Sequence, residues 1–149
     1  MPTVICVLKS GGIYDAGWVR KLRDGVARHL PVAHRFVCLS DVEVPCERIP
    51  LMHDWPGWWS KIELFRPGAI SGRTVYLDLD TAIVGDITDL FDLPYDFAML
   101  QNFSNPEMVG SGVIWFRNEA PTQVYTKFCK QPQAYIAHHD RNAKGSYLG

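Results

Sequence analysis

Residues 73–81 read RTVYLDLDT, an apolar run that ends in two acidic residues. Arg73 to Leu79 predicts the best-defined strand of the chain, because the run is rich in β-branched and aromatic side chains. Side chains two apart in a strand point to the same face, about 7 Å from each other, so Asp78 and Asp80 should face one ligand while Leu79 packs behind them. Ionised side chains beside a buried strand are costly without a partner. The segment therefore predicts a binding site.

The acidic pair suits a hard divalent cation. Two carboxylates held this close repel each other, and either protonation or a bound cation relieves the cost. Mg²⁺ and Mn²⁺ prefer oxygen ligands and keep positions open for phosphate oxygens. Such an ion would act as a Lewis acid on a departing nucleoside diphosphate. The structural alternative is that one Asp caps a backbone turn while the other is solvated.

Strand and helix patterns alternate on both sides of this segment. Apolar runs predict strands at residues 3–8, 35–39, 48–51, 96–101 and 112–117. Apolar spacing and proline positions predict helices at 15–30, at 57–65 and from Pro121, followed after Pro132 by a polar tail. This alternation on short connections predicts an α/β fold with a mostly parallel, Rossmann-like sheet and helices on both faces.

Three polar segments should meet at one edge of that sheet. Ligands of such sheets bind at the carboxyl ends of the strands. Lys9-Ser10-Gly11, Ser40-Asp41 and Asp78-Leu79-Asp80 each follow a predicted strand. We therefore expect all three segments to border the same binding site.

The bulk composition excludes several classes of protein. A chain of 149 residues fits one domain. Its net charge of -1, with both signs mixed along the chain, argues against broad nucleic-acid binding. No apolar run approaches the ~20 residues of a membrane helix, and the first residues lack a secretory signal. The four cysteines contain no Cys-x-x-Cys pair and are expected to be reduced packing residues. These features predict a cytoplasmic protein without a membrane span.

Around the acidic pair the chain resembles glycosyltransferase family 8, which includes glycogenin and the lipopolysaccharide galactosyltransferases. Residues 76–84, YLDLDTAIV, and residues 86–91, DITDLF, look like the metal-binding segment of that family. The resemblance implies a single GT-A-type domain over residues 1–149. It also implies a nucleotide-sugar donor, UDP-linked, with Mn²⁺ or Mg²⁺ held by Asp78 and Asp80. The reaction would be transfer of a hexose to an acceptor hydroxyl, with retention at the anomeric carbon.

Other motifs extend the resemblance over most of the chain, and each has a structural alternative. Tyr14 is similar to the family's tyrosine that stacks on uracil, but it could anchor the first helix instead. Lys61 resembles the lysine that reaches the donor phosphates or sugar and would serve catalysis together with Asp80; a solvated lysine is its alternative. Ser111 and Gly112 resemble the pair that lines the donor sugar, but they could equally form a bulge.

Departures from the family pattern concern the later motifs. Gly110 stands where the family has an asparagine, so one contact to the sugar is in doubt. Family members follow a motif like Tyr147-Leu148-Gly149 with Asp-Gln and later supply a histidine to the metal. This sequence has neither. We therefore expect a donor-binding half whose catalytic machinery is incomplete, and exposed Trp and Tyr side chains there could favour self-association.

Two other functions fit parts of the sequence. A binding module would hold the donor in the same fold without turnover. A haloacid dehalogenase-like phosphatase also carries Asp-x-Asp after a buried strand, but a Thr or Val is expected where this chain has Ala82.

Two clusters outside the main motifs invite ligand interpretations. Trp55, Trp58 and Trp59 could stack on sugars, although a core position is expected for at least two of them. His138-His139-Asp140 contains metal-ligand types but is expected in a solvated tail.

Overall fold

The computed structural model describes residues 1–101 and 109–145. Within them, one sheet is built from β1 (Thr3–Leu8), β2 (Arg35–Ser40), β3 (Glu47–Pro50), β4 (Thr74–Leu77), β5 (Phe97–Gln101) and β6 (Val109–Phe116). The strand order is β3-β2-β1-β4-β6-β5. Strands β3, β2, β1 and β4 are parallel, whereas β6 runs antiparallel to β4 and to β5. The predicted α/β fold with a mostly parallel sheet is confirmed.

The strand order creates a topological switch point between β1 and β4. After β1 the chain builds β2 and β3 on one side, then returns to add β4 on the other side. In open α/β sheets the crevice at such a point, beyond the carboxyl ends of the strands, is the usual place for a ligand. The topology therefore places the loop after β1 and the segment after β4 around one crevice.

Helix α1 (Ala16–His29) covers one face of the sheet. It begins where the Asp15 side chain accepts a hydrogen bond from the Gly17 amide, an N-cap that satisfies an otherwise unpaired donor. Its buried side chains Val19, Leu22 and Val26 pack in one cluster with inward-facing residues of β1 and β4. Burial of each such side chain contributes about 1.5–3 kcal/mol, which fixes the helix, and with it the loop after β1, on the sheet.

The other face is covered by the 3₁₀ helix Gly57–Phe65 and by α2 (Thr122–Lys130). A short helix was predicted at 57–65, and its 3₁₀ geometry is a refinement of that prediction. The buried Glu63 carboxylate fixes the helix, because it accepts hydrogen bonds from the amides of Met52 and His53 and from Arg66. Side chains three apart eclipse each other in a 3₁₀ helix, so Trp58 and Lys61 share one side.

The strand that carries the acidic pair is shorter than predicted. Strand β4 ends at Leu77, whereas the sequence predicted a strand to Leu79. The Asp78 amide still donates to the Gly112 carbonyl oxygen at 3.0 Å, but the chain then turns, and the Thr81 amide donates to the Asp78 carbonyl oxygen at 3.0 Å. The two carboxylates therefore reach their common side through a turn and not through strand alternation.

The prediction of a polar tail after Pro132 is wrong, because Pro132–Gly145 forms the helix α3. Pro132 suits a first helical position. The buried Ile136 packs in a cluster with Trp55 and Phe128, and Tyr135 stacks on Phe128 with 5.6 Å between ring centroids. Because α3 has so few apolar residues at helical spacing, the sequence does not indicate a helix there.

A further 3₁₀ helix, Thr88–Phe91, was also not predicted. No helix among the described residues is long and apolar enough to cross a membrane.

Candidate functional site

A cavity of about 380 Å³ opens at the switch point between β1 and β4. Its wall combines the loop after β1, one side of the 3₁₀ helix Gly57–Phe65 and the acidic turn after β4. The polar and aromatic side chains that line it include Lys9, Tyr14, Trp58, Lys61, Asp78 and Asp80. Four of these six (Tyr14, Lys61, Asp78 and Asp80) are site residues that the sequence predicted.

Lys61 is held in the cavity by three groups. Its ammonium nitrogen lies 2.9 Å from Asp78 Oδ1 and donates hydrogen bonds to the Ser111 carbonyl oxygen at 3.2 Å and to Ser111 Oγ at 3.1 Å. It also lies over the ring of Tyr76, 4.9 Å from the centroid, in cation–π geometry. Only 17% of the side chain is exposed, so the alternative of a solvated lysine does not describe this residue.

Asp78 is the centre of this network. The hydroxyl of the buried Tyr76 donates to Asp78 Oδ1 at 2.5 Å, so the same oxygen receives both Tyr76 and Lys61. Burial raises the pKa of Tyr76 well above its ordinary value, and the negative charge of Asp78 raises it further. Tyr76 therefore remains a protonated donor at neutral pH. Tyr76 was not predicted to be a site residue from the sequence, although its position two residues before Asp78 is a signal for this contact.

Gly112 gives the Asp78 carboxylate its space. A Cβ atom at Gly112 would lie 3.3 Å from Asp78 Oδ2, so a larger residue would press on the carboxylate. The strand is also interrupted here. Met99 pairs with Ile114, but Leu100 pairs with Gly110, so the three residues between them, Ser111 to Val113, bulge from the β5 ladder. A bulge was the structural alternative for Ser111 and Gly112, and it is present. Ser111 accepts a hydrogen bond from Lys61 within it.

Tyr14 and Asp80 form the opposite part of the cavity. The Tyr14 hydroxyl donates to Asp80 Oδ2 at 3.0 Å, and this hydrogen bond raises the pKa of Tyr14. The ring packs edge-on against Trp18 of α1, with 5.1 Å between centroids. Tyr14 therefore anchors the first helix, as its structural alternative suggested, and also holds the second aspartate.

A polar clamp, which consists of Lys9, Ser10 and Asp41 with the exposed Asp54, joins the loop after β1 to the end of β2. Asp41 accepts hydrogen bonds from the Ser10 amide at 2.9 Å and from Ser10 Oγ at 2.5 Å. Lys9 lies between Asp41 at 3.1 Å and Asp54 at 2.6 Å. Burial opposes ionisation of Asp41, but the bonds from Ser10 and Lys9 outweigh it and lower its pKa to about 2. The loop after β1 therefore meets the end of β2 at the clamp and the acidic turn at the cavity. Ser40 and Asp41 do not line the cavity, so only two of the three strand-end segments border it directly.

The acidic pair can hold a cation that other oxygens complete. Among residues 1–101 and 109–145, no group of three or more His, Cys, Asp or Glu side chains could hold a metal ion. Asp78 and Asp80 nevertheless line one cavity, and the contacts described above engage one oxygen of each. Mg²⁺ is commonly bound by one or two carboxylates together with waters and substrate phosphates. The pair fits an ion of this kind and does not fit an all-protein cage.

The tryptophans divide as the sequence indicated. Trp55 is buried and Trp59 is partly buried in the aromatic cluster with Phe128. Trp58 is 58% exposed and borders the cavity. The His138-His139-Asp140 segment lies on α3; His138 is exposed, and the side chains of the other two lie outside the described residues.

This chain matches known proteins in its structure and not in its sequence. No protein-family model matches the sequence, and no curated protein sequence matches it. The fold matches the crystal structure of the glycosyltransferase GlyE from Streptococcus pneumoniae TIGR4, with a TM-score of 0.64 and 16% identity over 100% of this chain. The apo form of GlyE matches with a TM-score of 0.59 and 16% identity over 99% of the chain. The chain has a glycosyltransferase fold.

The match spans about two-fifths of the neighbour. This chain covers 41% of the GlyE chain and 40% of its apo form. At 16% identity the likeness establishes the fold. The ligand of the cavity depends on the residues that line it.

Proposed function

We propose that this chain is a glycosyltransferase domain that binds a UDP-linked hexose and transfers the hexose to an acceptor hydroxyl. The observation that carries the proposal is the meeting of Lys61, Asp78 and Asp80 at one cavity, at the switch point of a sheet with a glycosyltransferase fold. Ser111 accepts a hydrogen bond from Lys61 beside this cavity. The motif resemblance to family 8 supports the same donor and retention at the anomeric carbon.

The residues divide the work of holding the donor diphosphate. Asp78 and Asp80 would hold Mn²⁺ or Mg²⁺, which supplies Lewis-acid stabilisation of the leaving diphosphate when it is bound. Tyr76 and Tyr14 each fix one carboxylate by a hydrogen bond, so both acids keep their orientation before the donor arrives. Lys61 supplies a second positive charge in the same cavity. Ser111 and Gly112, which lie beside Lys61 and Asp78, would line the donor sugar, as the resemblance to family 8 implies.

Asp80→Asn is the direct test of the metal site. Carboxylates are far better ligands for these cations than amides are, so the variant should lose Mn²⁺-dependent UDP binding while it keeps its fold. Calorimetry of UDP with Mn²⁺ measures the loss, and far-UV circular dichroism measures the fold. Asp92→Asn is a matched control, because Asp92 is exposed and pairs with Arg73, and neither residue lines the cavity. Unchanged UDP binding in Asp80→Asn would show that the acidic pair is not the site.

A donor-binding module without turnover is the second candidate. It is favoured by Gly110, which stands where family 8 has an asparagine that contacts the sugar. It predicts that UDP with Mn²⁺ binds, yet no hexose is released from UDP-glucose or UDP-galactose. The phosphatase alternative predicts release of phosphate from an aryl phosphate with Mg²⁺, and the glycosyltransferase fold speaks against it. A cytoplasmic location and self-association remain predictions from the sequence.

A further inference from the structure

The ammonium of Lys61 occupies Oδ1 of Asp78, so a metal ion at Oδ2 would share the same carboxylate with it. Its nitrogen lies 2.9 Å from Asp78 Oδ1, an oxygen that already accepts the Tyr76 hydroxyl. The largely buried ammonium of Lys61 neutralises the charge of the Asp78 carboxylate. A divalent ion on the same carboxylate would bring a second positive charge close to the ammonium, and like charges at such distances repel strongly inside a protein.

Lys61 has other partners that do not depend on Asp78. Ser111 offers its carbonyl oxygen at 3.2 Å and its hydroxyl at 3.1 Å. The ring of Tyr76 lies 4.9 Å away and attracts a cation through its π face. The ammonium can therefore leave Asp78 without losing all of its contacts, and it would still border the cavity.

We propose that Lys61 and the divalent cation compete for Asp78, and that cation binding releases Lys61 from Asp78 to face the donor while Ser111 retains it. The inference rests on the proposed function, since it assigns a regulatory role within the same site. It makes Lys61 a counter-ion that holds Asp78 in place when no metal is bound. Once the metal ion is bound to Asp78, the Lys61 ammonium is available to the donor phosphates.

The test compares Lys61 with a lysine outside the cavity. Lys127 is exposed on α2 and does not line the cavity. Lys61→Met and Lys127→Met each remove one positive charge. We expect Lys61→Met to bind Mn²⁺ without nucleotide about tenfold more tightly, within the usual range of coupling between sites. Lys127→Met should change the affinity by less than about twofold, because solvent screens a distant exposed charge.

Mn²⁺ affinity is measured by the electron paramagnetic resonance signal of the free ion, with melting temperatures to verify that both variants fold. Equal tightening in the two variants would mean a general field effect and would overturn the competition. Unchanged or weaker binding in Lys61→Met would also overturn it, as would absence of Mn²⁺ binding in all three proteins.

A measurement on the unaltered protein avoids any folding defect of the variants. Titration with diamagnetic Mg²⁺ should shift the side-chain ¹⁵N ammonium resonance of Lys61 and leave that of Lys9 in place. A Lys61 resonance that does not move at saturating Mg²⁺ contradicts the release from Asp78. The proposed function fails separately: it falls if UDP with Mn²⁺ does not bind the wild-type chain, even where Lys61→Met tightens Mn²⁺ binding.

Discussion

At the residue scale, the candidate site depends on close packing around the Asp78 carboxylate. Lys61 and Tyr76 meet one oxygen of Asp78, and Gly112 leaves room beside the other. Charged hydrogen bonds of this kind typically contribute about 1.5–3 kcal/mol, and they hold the carboxylate in one orientation. Small displacements of Asp78 should therefore affect metal and donor binding more than they affect folding.

Gly112→Ala tests this dependence. The new methyl group would lie 3.3 Å from Asp78 Oδ2, so the carboxylate has to move by a few tenths of an ångström. We expect Mn²⁺-dependent UDP binding to weaken about tenfold, since a bound group is sensitive to displacements of this size. The melting temperature should change little. Gly85→Ala is the control, because a Cβ there meets nothing within 4 Å. Equal UDP affinity in the two variants, measured by calorimetry, would contradict the role of Gly112.

The sequence predicted the acidic pair and Lys61 but not the contact between them. Residue types and spacing identify Asp78 and Asp80 as candidates, because two carboxylates after a buried strand suit a cation. Lys61 became a candidate through the resemblance to family 8. The ion pair joins positions 61 and 78 across two elements, and nothing local in the sequence specifies such a distance. Tyr76 was accessible to reasoning from strand alternation, since it precedes Asp78 by two positions.

At the element scale, the polar clamp decides how the loop after β1 is held. Ser10 and Lys9 bind Asp41 at the end of β2, and the same loop continues to Tyr14 in the cavity wall. The clamp therefore links the position of Tyr14 to the sheet. Its charge also makes the link sensitive to pH.

The pH dependence of stability tests the clamp. The folded-state pKa of Asp41 is about 2, below its ordinary value of 3.8. A lowered carboxylate pKa stabilises the folded state fully above pH 3.8, and the contribution is lost as the pH falls toward 2. The hydrogen bond from Arg35 also lowers the pKa of Glu47, so this pair loses stabilising free energy on acidification as well. Asp41→Asn isolates the clamp, because the free energy of unfolding of the variant should fall less steeply between pH 4 and pH 2. Parallel curves for wild type and variant in urea titrations would rule the clamp out as a source of acid sensitivity.

Element types followed from the sequence where local signals were strong. Helix α1 has an Asp cap, spaced apolar residues and a proline after its end, so local chemistry and tertiary packing agree. Helix α3 has no such agreement. Its identity depends on the packing of Ile136 and Tyr135 against Phe128 of α2, which is a tertiary contact. The bulge in β6 depends likewise on register with two neighbouring strands.

At the scale of the whole molecule, the sheet order brings distant parts of the chain to one crevice. The loop after β1, the 3₁₀ helix Gly57–Phe65 and the acidic turn are separated along the sequence but line the same cavity. Alternating strands and helices predicted the fold class. Alternation leaves the strand order open, because several orders satisfy the same connection rules. At 16% identity, the structural match to GlyE supports the fold that the motif resemblance implied.

A ligand that bridges these segments should stabilise the chain as a unit. A ligand that binds the folded state alone adds about 2.7 kcal/mol to the free energy of unfolding at a concentration of 100 times its Kd, and about 1.4 kcal/mol more for each further tenfold. We expect UDP with Mn²⁺ to follow this dependence in urea titrations and Asp80→Asn to show none of it. Hydrogen exchange should slow in the loop after β1 and in the acidic turn, because these segments border the cavity. Amides of α3 that exchange through local opening should be unaffected, because the described contacts of α3 are with α2 and the aromatic cluster. Absence of slowing in the loop after β1 and in the acidic turn at saturating UDP and Mn²⁺ would contradict binding at the cavity.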